Sequence, residues 1–259
     1  MQTAKPPVVL TVAGSDSSGG AGIQADLKAI AAHGCYGASA VTALTAQNTR
    51  GVFAVHVPPA TFLAAQLASV RHDFAPDAIK IGMLPDTESV AAVADFLREQ
   101  PCPVVLDPVM VATSGASLSR NEAVQAMREM LFPLMTLLTP NIPEAETLAG
   151  MKIRSEADME AAAKKMNRPL LLKGGHTGEA NDLLFAEGRL LWLRGERIAC
   201  GETHGTGCTL SSAIACNLAL GCALHESCAR AKAWLTELLR RKPDFGVPNA
   251  PVFVQPLPL

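Results

Sequence analysis

Two spacings of apolar residues alternate along the chain. Short unbroken runs rich in β-branched residues, beginning with "VVLTVA" at 8–13, give way to stretches where apolar side chains recur every three or four positions, as Ile23, Leu27 and Ile30 do in "GAGIQADLKAIAAHG". The first pattern predicts strands buried on both faces, and the second predicts helices with one apolar side. Gly34 supplies a stop for the first helix. The alternation continues with strands in "SAVTALTA", "AIKIGM", "VVLD", "TLLTP" and "PLLLKGG", and with helices in "PATFLAAQLASVRHDF", near 87–99, near 120–130 and near 143–166. Strands and helices in such alternation imply an α/β fold with a mostly parallel sheet covered on both faces. Between 181 and 200 the pattern changes to "NDLLFAEGRLLWLRGERIAC", two or three short strands that predict a hairpin at one sheet edge. Helices at 205–220 and about 225–241 follow, and the Pro-rich "VPNAPVFVQPLPL" reads as an extended tail.

Length and composition narrow the class. The 259 residues show no boundary and are read as a single domain, 1–259, with 49% hydrophobic and 18% charged residues providing a sizeable core. A net charge of -2 without a Lys/Arg run argues against nucleic acid as a partner. Seven cysteines without a CxxC pair read as free thiols in a reducing cytoplasm. The start "MQTAKPPVVLTVAG" lacks an apolar run of signal-peptide length. Thr203 to His225 carries no Asp, Glu, Lys or Arg, but its Gly, Ser, His and Asn content reads as a buried helix, and no membrane partner is expected.

In parallel α/β sheets, ligands collect at the carboxyl ends of the strands. Six segments fall there: "GSDSSGGAG", "IGML", "LDPVM", "TPNIPEAE", "KGGH" and "HGTGC". Taken singly, each is ordinary turn chemistry. Together they supply the requirements of phosphoryl transfer, although the chain has neither GxxxxGK[ST] nor GxGxxG nor GxSxG. Gly205, Thr206, Gly207 and Cys208 offer backbone N–H groups at a helix N-terminus, where the macrodipole favours an anion. Lys173 is placed to reach a phosphate, and Asp107 and Glu144 are candidates for Mg²⁺ held through water. Glu144 reads equally well as a first-turn helix acid.

The segments "TVAGSDSSGGAGIQADLKAI", "VTALTAQNTRGV", "IKIGML", "VVLDPVM", "TPNIPEAE", "KGGH" and "HGTGCTLSSAIA" together resemble the hydroxymethylpyrimidine/phosphomethylpyrimidine kinases of thiamine synthesis, in the ribokinase-like superfamily. The resemblance runs from about residue 8 to about 240. It implies a three-layer α/β/α sandwich, often dimeric. It also implies phosphorylation of 4-amino-5-hydroxymethyl-2-methylpyrimidine, and usually of its monophosphate, by ATP with Mg²⁺. By the same resemblance Gln47 reads the pyrimidine, as a Gln amide reads adenine by donating to a ring nitrogen and accepting from the amino group beside it. Gly14, Asp26, Met83 and Val109 would line the pyrimidine pocket, with Met83 turning a polarisable sulfur to the ring. Asn141 and Glu144 match the superfamily's NxxE element near metal and phosphates, and Asp107 matches an acidic position near the same metal. Cys208 stands where other ribokinase-like enzymes place an aspartate base. A thiol at a helix N-terminus is expected to have a lowered pKa, so Cys208 is either that base or a small residue whose backbone does the work.

The chain departs from the family where "VATSG" places Thr113 at a position often lysine, a change expected to weaken the second phosphorylation. Adenine contacts, expected between His176 and Thr203, are left unassigned. Two alternatives remain: a pyridoxal kinase, and a non-catalytic pyrimidine-binding protein.

Overall fold

A computed structural model of the chain describes residues 5–110, 121–175, 179–201, 203–252 and 254. Thr113, His176 and residues 255–259 of the tail lie outside the described residues. The strands are β1 (Val8–Asp16), β2 (Tyr36–Asn48), β3 (Gly51–His56), β4 (Ala78–Ile81), β5 (Val104–Leu106), β6 (Leu137–Leu138), β7 (Leu170–Leu172), β8 (Asp182–Ala186) and β9 (Arg189–Leu193). The α-helices are α1 (Gly22–Ala32), α2 (Ala60–Asp73), α3 (Thr87–Leu97), α4 (Asn121–Ala126), α5 (Ile142–Ala149), α6 (Glu156–Met166), α7 (Thr206–Ala219) and α8 (Leu224–Arg240), and α4 runs on into a π-helical turn (Met127–Leu131) and a 3-10 turn (Phe132–Leu134).

Among the described residues the strands join one nine-stranded sheet in the order β3-β2-β1-β4-β5-β6-β7-β8-β9. The run from β2 to β7 is parallel, while β3 at one edge and β8 and β9 at the other are antiparallel. The expected hairpin, β8–β9, turns through Glu187 and Gly188, both at positive φ (51° and 72°). This is the primed turn that matches strand twist. A second hairpin, β2–β3, closes the opposite edge and was not expected from the pattern.

Alternate residues of the central strands feed two cores, as the period of a strand requires. Leu10, Ile79, Leu106, Leu138 and Leu170 pack with Leu63, Val93 and Ala145 of α2, α3 and α5 on one face. Val9, Ala78, Val105, Leu137 and Leu171 pack with Ile30, Ile214 and Ala231 of α1, α7 and α8 on the other. Each fully buried Leu or Ile contributes on the order of 1.5–3 kcal/mol relative to exposure. The result is the expected three-layer α/β/α arrangement, with every central strand running toward the same side.

Candidate active site

The carboxyl ends of the parallel strands open into one cavity of about 860 Å³. Among its walls are Gly14, Gln47, Met83, Val109, Asp107, Asn141, Glu144, Lys173 and Gly205 to Cys208. Twelve of the thirteen residues singled out in the sequence thus meet in one space. Asp26 is the exception.

The turn before α7 is held by contacts that only glycine permits. Gly205 has φ +82°, and a Cβ there would fall 1.8 Å from the Gly20 carbonyl. Thr206, Gly207 and Cys208 open α7, so their N–H groups have no carbonyl one turn back within the helix. No acidic residue of α7 itself occupies this first turn, so the helix contributes only the positive end of its dipole here. A Cβ on Gly207 would come 3.1 Å from Asp107 Oδ2 and 3.3 Å from Lys173 Nζ, so the missing side chain leaves room beside both charges.

Lys173 donates to Asp107 Oδ1 at 2.7 Å, and Thr139 Oγ1 donates to the same oxygen at 3.2 Å. Burial opposes the Lys173 charge, but Asp107 and Glu144 more than offset this and hold its pKa above the ordinary value. Glu144 sits in a capping box: Asn141 N donates to its Oε2 at 2.8 Å, and its own N donates to Asn141 Oδ1 at 2.9 Å. Glu144 is thus a first-turn helix acid, and its side chain also lines the cavity. Burial pushes its carboxyl up to about 7, against the pull of Lys173.

Among the described residues no group of three or more His, Cys, Asp or Glu side chains is arranged to hold a metal ion. Asp107 and Glu144 line the same cavity, and Mg²⁺ in general keeps several waters and takes few protein carboxylates.

Two expectations need correction. Asp26 does not line the cavity; it lies fully buried on α1, where Lys80 Nζ donates to its oxygens at 2.9 and 2.8 Å, Thr11 Oγ1 at 2.6 Å and Ser212 Oγ at 2.8 Å. These four hydrogen bonds from three donor groups saturate it, so it anchors the cavity floor from behind. The Cys208 thiol is also not lowered in pKa. Burial pushes it up to about 11; Lys80 pulls down, while Asp26 and Asp107 push further up. The helix-end effect loses to desolvation and to two carboxylates from other elements.

Lys80 was missed. Its side chain has no exposed surface, yet it forms part of the cavity floor. Burial opposes its charge, but Asp26 above all, with Cys208 and Asp107, holds its pKa above the usual lysine value. The available signal was a lysine inside the otherwise apolar "AIKIGM". Asp16 and His204 were missed as well: His204 Nε2 lies 2.9 Å from Asp16 Oδ2. Gln47 Nε2 lies 3.1 Å from the same ring nitrogen, and its Oε1 lies 3.2 Å from Thr45 Oγ1.

Beyond Lys173 the cavity continues past Asp182 to Ile198, Leu235, Thr236 and Leu239. Lys232 bridges this stretch, donating to Asp182 Oδ2 and to the Ala180 carbonyl, each at 2.6 Å. Of the three aliphatic side chains here, Ile198 falls within 176–203, where adenine contacts were expected, while Leu235 and Leu239 come from α8.

Residues 16–253 match the phosphomethylpyrimidine kinase family. The thiamine biosynthesis bifunctional protein ThiED of Geobacter sulfurreducens is 49% identical over 94% of this chain, which spans 51% of that relative's length. The crystal structure of phosphomethylpyrimidine kinase from Clostridium difficile is 41% identical, with a TM-score of 0.79 over 89% of this chain and 98% of that one. A pyridoxal kinase from Staphylococcus aureus, in complex with AMP-PCP and pyridoxal, is 30% identical, with a TM-score of 0.85 over 93% of this chain and 91% of that one. Sequence match, sheet order and cavity agree, and the chain belongs to the phosphomethylpyrimidine kinase family, with a ribokinase-like fold.

Proposed function

We propose that the chain transfers the γ-phosphoryl group of ATP to the hydroxymethyl oxygen of 4-amino-5-hydroxymethyl-2-methylpyrimidine, and then a second phosphoryl group to the monophosphate. The observation that carries this reading is one cavity joining Gln47 and Met83, the open helix end at Gly205–Cys208 with Lys173, and the apolar end at Ile198, Leu235 and Leu239. Acceptor, phosphates and adenine are assigned to these three parts in that order.

In this reading Gln47 holds the pyrimidine edge while Gly14, Met83 and Val109 flank the ring. The hydroxymethyl oxygen forms a bond to the γ-phosphorus, the bond to the β–γ bridging oxygen breaks, and ADP leaves. Backbone N–H groups of Thr206, Gly207 and Cys208, with Lys173, face the phosphoryl oxygens as charge spreads over them. Asp107 and Glu144 would hold Mg²⁺ through water, with Asn141 beside the phosphates. That ion neutralises phosphate charge when bound. A thiol at about 11 is overwhelmingly protonated at neutral pH, which favours the backbone role of Cys208 over the base role. The acceptor proton then leaves with the phosphoryl oxygens or solvent, as a loose transition state allows.

This reading takes residues 1–259 as one domain, working as a homodimer in a reducing cytoplasm. All seven cysteines are free, which supports that compartment, and no described helix is long and apolar enough to cross a membrane. The likeness to the Staphylococcus aureus enzyme favours pyridoxal phosphorylation as the second reading. ADP release from MgATP, with hydroxymethylpyrimidine, its monophosphate and pyridoxal supplied separately, tests both. Turnover on both pyrimidines supports the proposal. Turnover on pyridoxal alone supports the second reading, and none on any acceptor leaves a binding protein.

A further inference from the structure

One nitrogen of His204 meets two groups at once, Asp16 and the Gln47 amide. Asp16 is 2% exposed, and its oxygens also accept from Ser18 N and Oγ, Gly20 N and Ala21 N. Burial pushes its carboxyl up, but the hydrogen bonds from His204, Ser18 and Ala21 outweigh this and hold it below the ordinary range. An ionised carboxylate only accepts hydrogen bonds. The proton between Asp16 and the ring therefore sits on Nε2, and that nitrogen has only one to offer.

The oxygen and nitrogen of an amide have nearly the same shape, so their partners decide which faces where. Against an Nε2–H at 3.1 Å, Gln47 must present an acceptor, its carbonyl. A half-turn of the terminal dihedral achieves this and brings the NH₂ to Thr45 Oγ1, 3.2 Å away. The Thr45 hydroxyl already gives its proton to the Ser15 carbonyl at 2.9 Å and has a lone pair left to accept. The opposite orientation would set NH₂ against N–H and ask one hydroxyl proton to serve two acceptors. The ring itself is clamped, since a Cβ on Gly20 would fall 2.6 Å from His204 Cδ2.

We propose that the Asp16–His204 pair is a positioning device that fixes the direction of the Gln47 amide and so sets the orientation of the pyrimidine. This rests on the pyrimidine kinase reading above. With its carbonyl on the His204 side, Gln47 accepts there from the exocyclic amino group, and on the Thr45 side its NH₂ donates to the adjacent ring nitrogen. The hydroxymethyl group is carried by the ring carbon next to the amino-bearing carbon, on the side away from that nitrogen. It therefore falls on the His204 side, toward the turn that begins one residue later at Gly205. A reversed amide would send it toward Thr45. Pyridoxal has no amino group beside a ring nitrogen, so it gains nothing from this polarity, and the pair acts as a selectivity device.

His204→Phe keeps a ring of similar size without the proton, and His204→Gln keeps an N–H donor. Binding of hydroxymethylpyrimidine by calorimetry without nucleotide, and kcat and KM for both acceptors and MgATP, are measured on the full chain. In His204→Phe, pyrimidine binding and its KM worsen about tenfold or more while the MgATP KM stays within about twofold. The preference for pyrimidine over pyridoxal falls by a similar factor, and His204→Gln recovers most of it. Nitrogen NMR of the wild-type imidazole shows the proton on Nε2. An unprotonated Nε2 overturns the proposal. So does a Phe variant that keeps binding and preference, or one that loses kcat equally on every acceptor. If the Phe variant does not fold, the Gln variant and the tautomer decide. A wild-type chain that does not bind the pyrimidine fails the functional reading before any variant is compared.

Discussion

Two lysine–aspartate pairs lie around the start of α7, and they differ in what water and ligand can reach. Lys80 and Asp26 are both 0% exposed, and Asp26 takes donors from three residues counting Lys80 itself. The Lys173 side chain retains 14% exposure against 3% for Asp107, and the pair opens onto the cavity beside Gly207. A sealed pair with its remaining lone pairs satisfied cannot exchange partners, so it acts as structure. An open pair can let go of one partner when a phosphate arrives, so it acts in binding. The same residue types serve the floor in one place and the chemistry in the other.

The largest effect expected from breaking this contrast is on the sealed pair. Asp26→Ala strands the Lys80 ammonium and costs about 3–5 kcal/mol of folding stability, read by chemical denaturation. Replacing both partners, as Lys80→Met with Asp26→Leu, recovers most of that loss, which separates a stranded charge from a lost contact. The open pair responds in rate. Lys173→Met lowers kcat by about 10²–10³-fold with a much smaller change in stability, and Gly207→Pro lowers it comparably by removing a donor and crowding Asp107. Steady-state kinetics and thermal melts on the same preparations check this division.

The smallest effect is expected at Cys208. With the thiol at about 11, Cys208→Ser retains activity within about tenfold, whereas an aspartate-like base would cost about 10²–10⁴-fold. Site-resolved alkylation of Cys208 keeps accelerating above pH 9, because the reactive thiolate accumulates only as pH approaches that raised value. A rate that levels off near neutrality would restore the base role.

The layers of the fold were legible because unbroken apolar runs and helical spacing encode burial directly. The β2–β3 hairpin was not, since Phe53 and Val55 are exposed and the strand lacks an alternation that points inward. The cavity residues were visible as small and charged side chains at strand ends. Their pairings were not: Asp16 meets His204 across 188 positions, and Lys80 meets Asp26 across 54. Nothing local to Asp26 distinguishes a carboxylate facing a ligand from one facing a buried lysine. The direction of the Cys208 shift failed for the same reason, because a helix end is a local feature whereas burial and the Asp107 carboxylate come from distant strands.

Phosphorus NMR of the chain with MgATP and hydroxymethylpyrimidine tests the central claim most directly. The account predicts that the γ-phosphate resonance is replaced by a phosphomonoester on the pyrimidine, followed by its diphosphate, and that Lys173→Met suppresses both. Unchanged ATP, or conversion to inorganic phosphate with no ester formed, would contradict it.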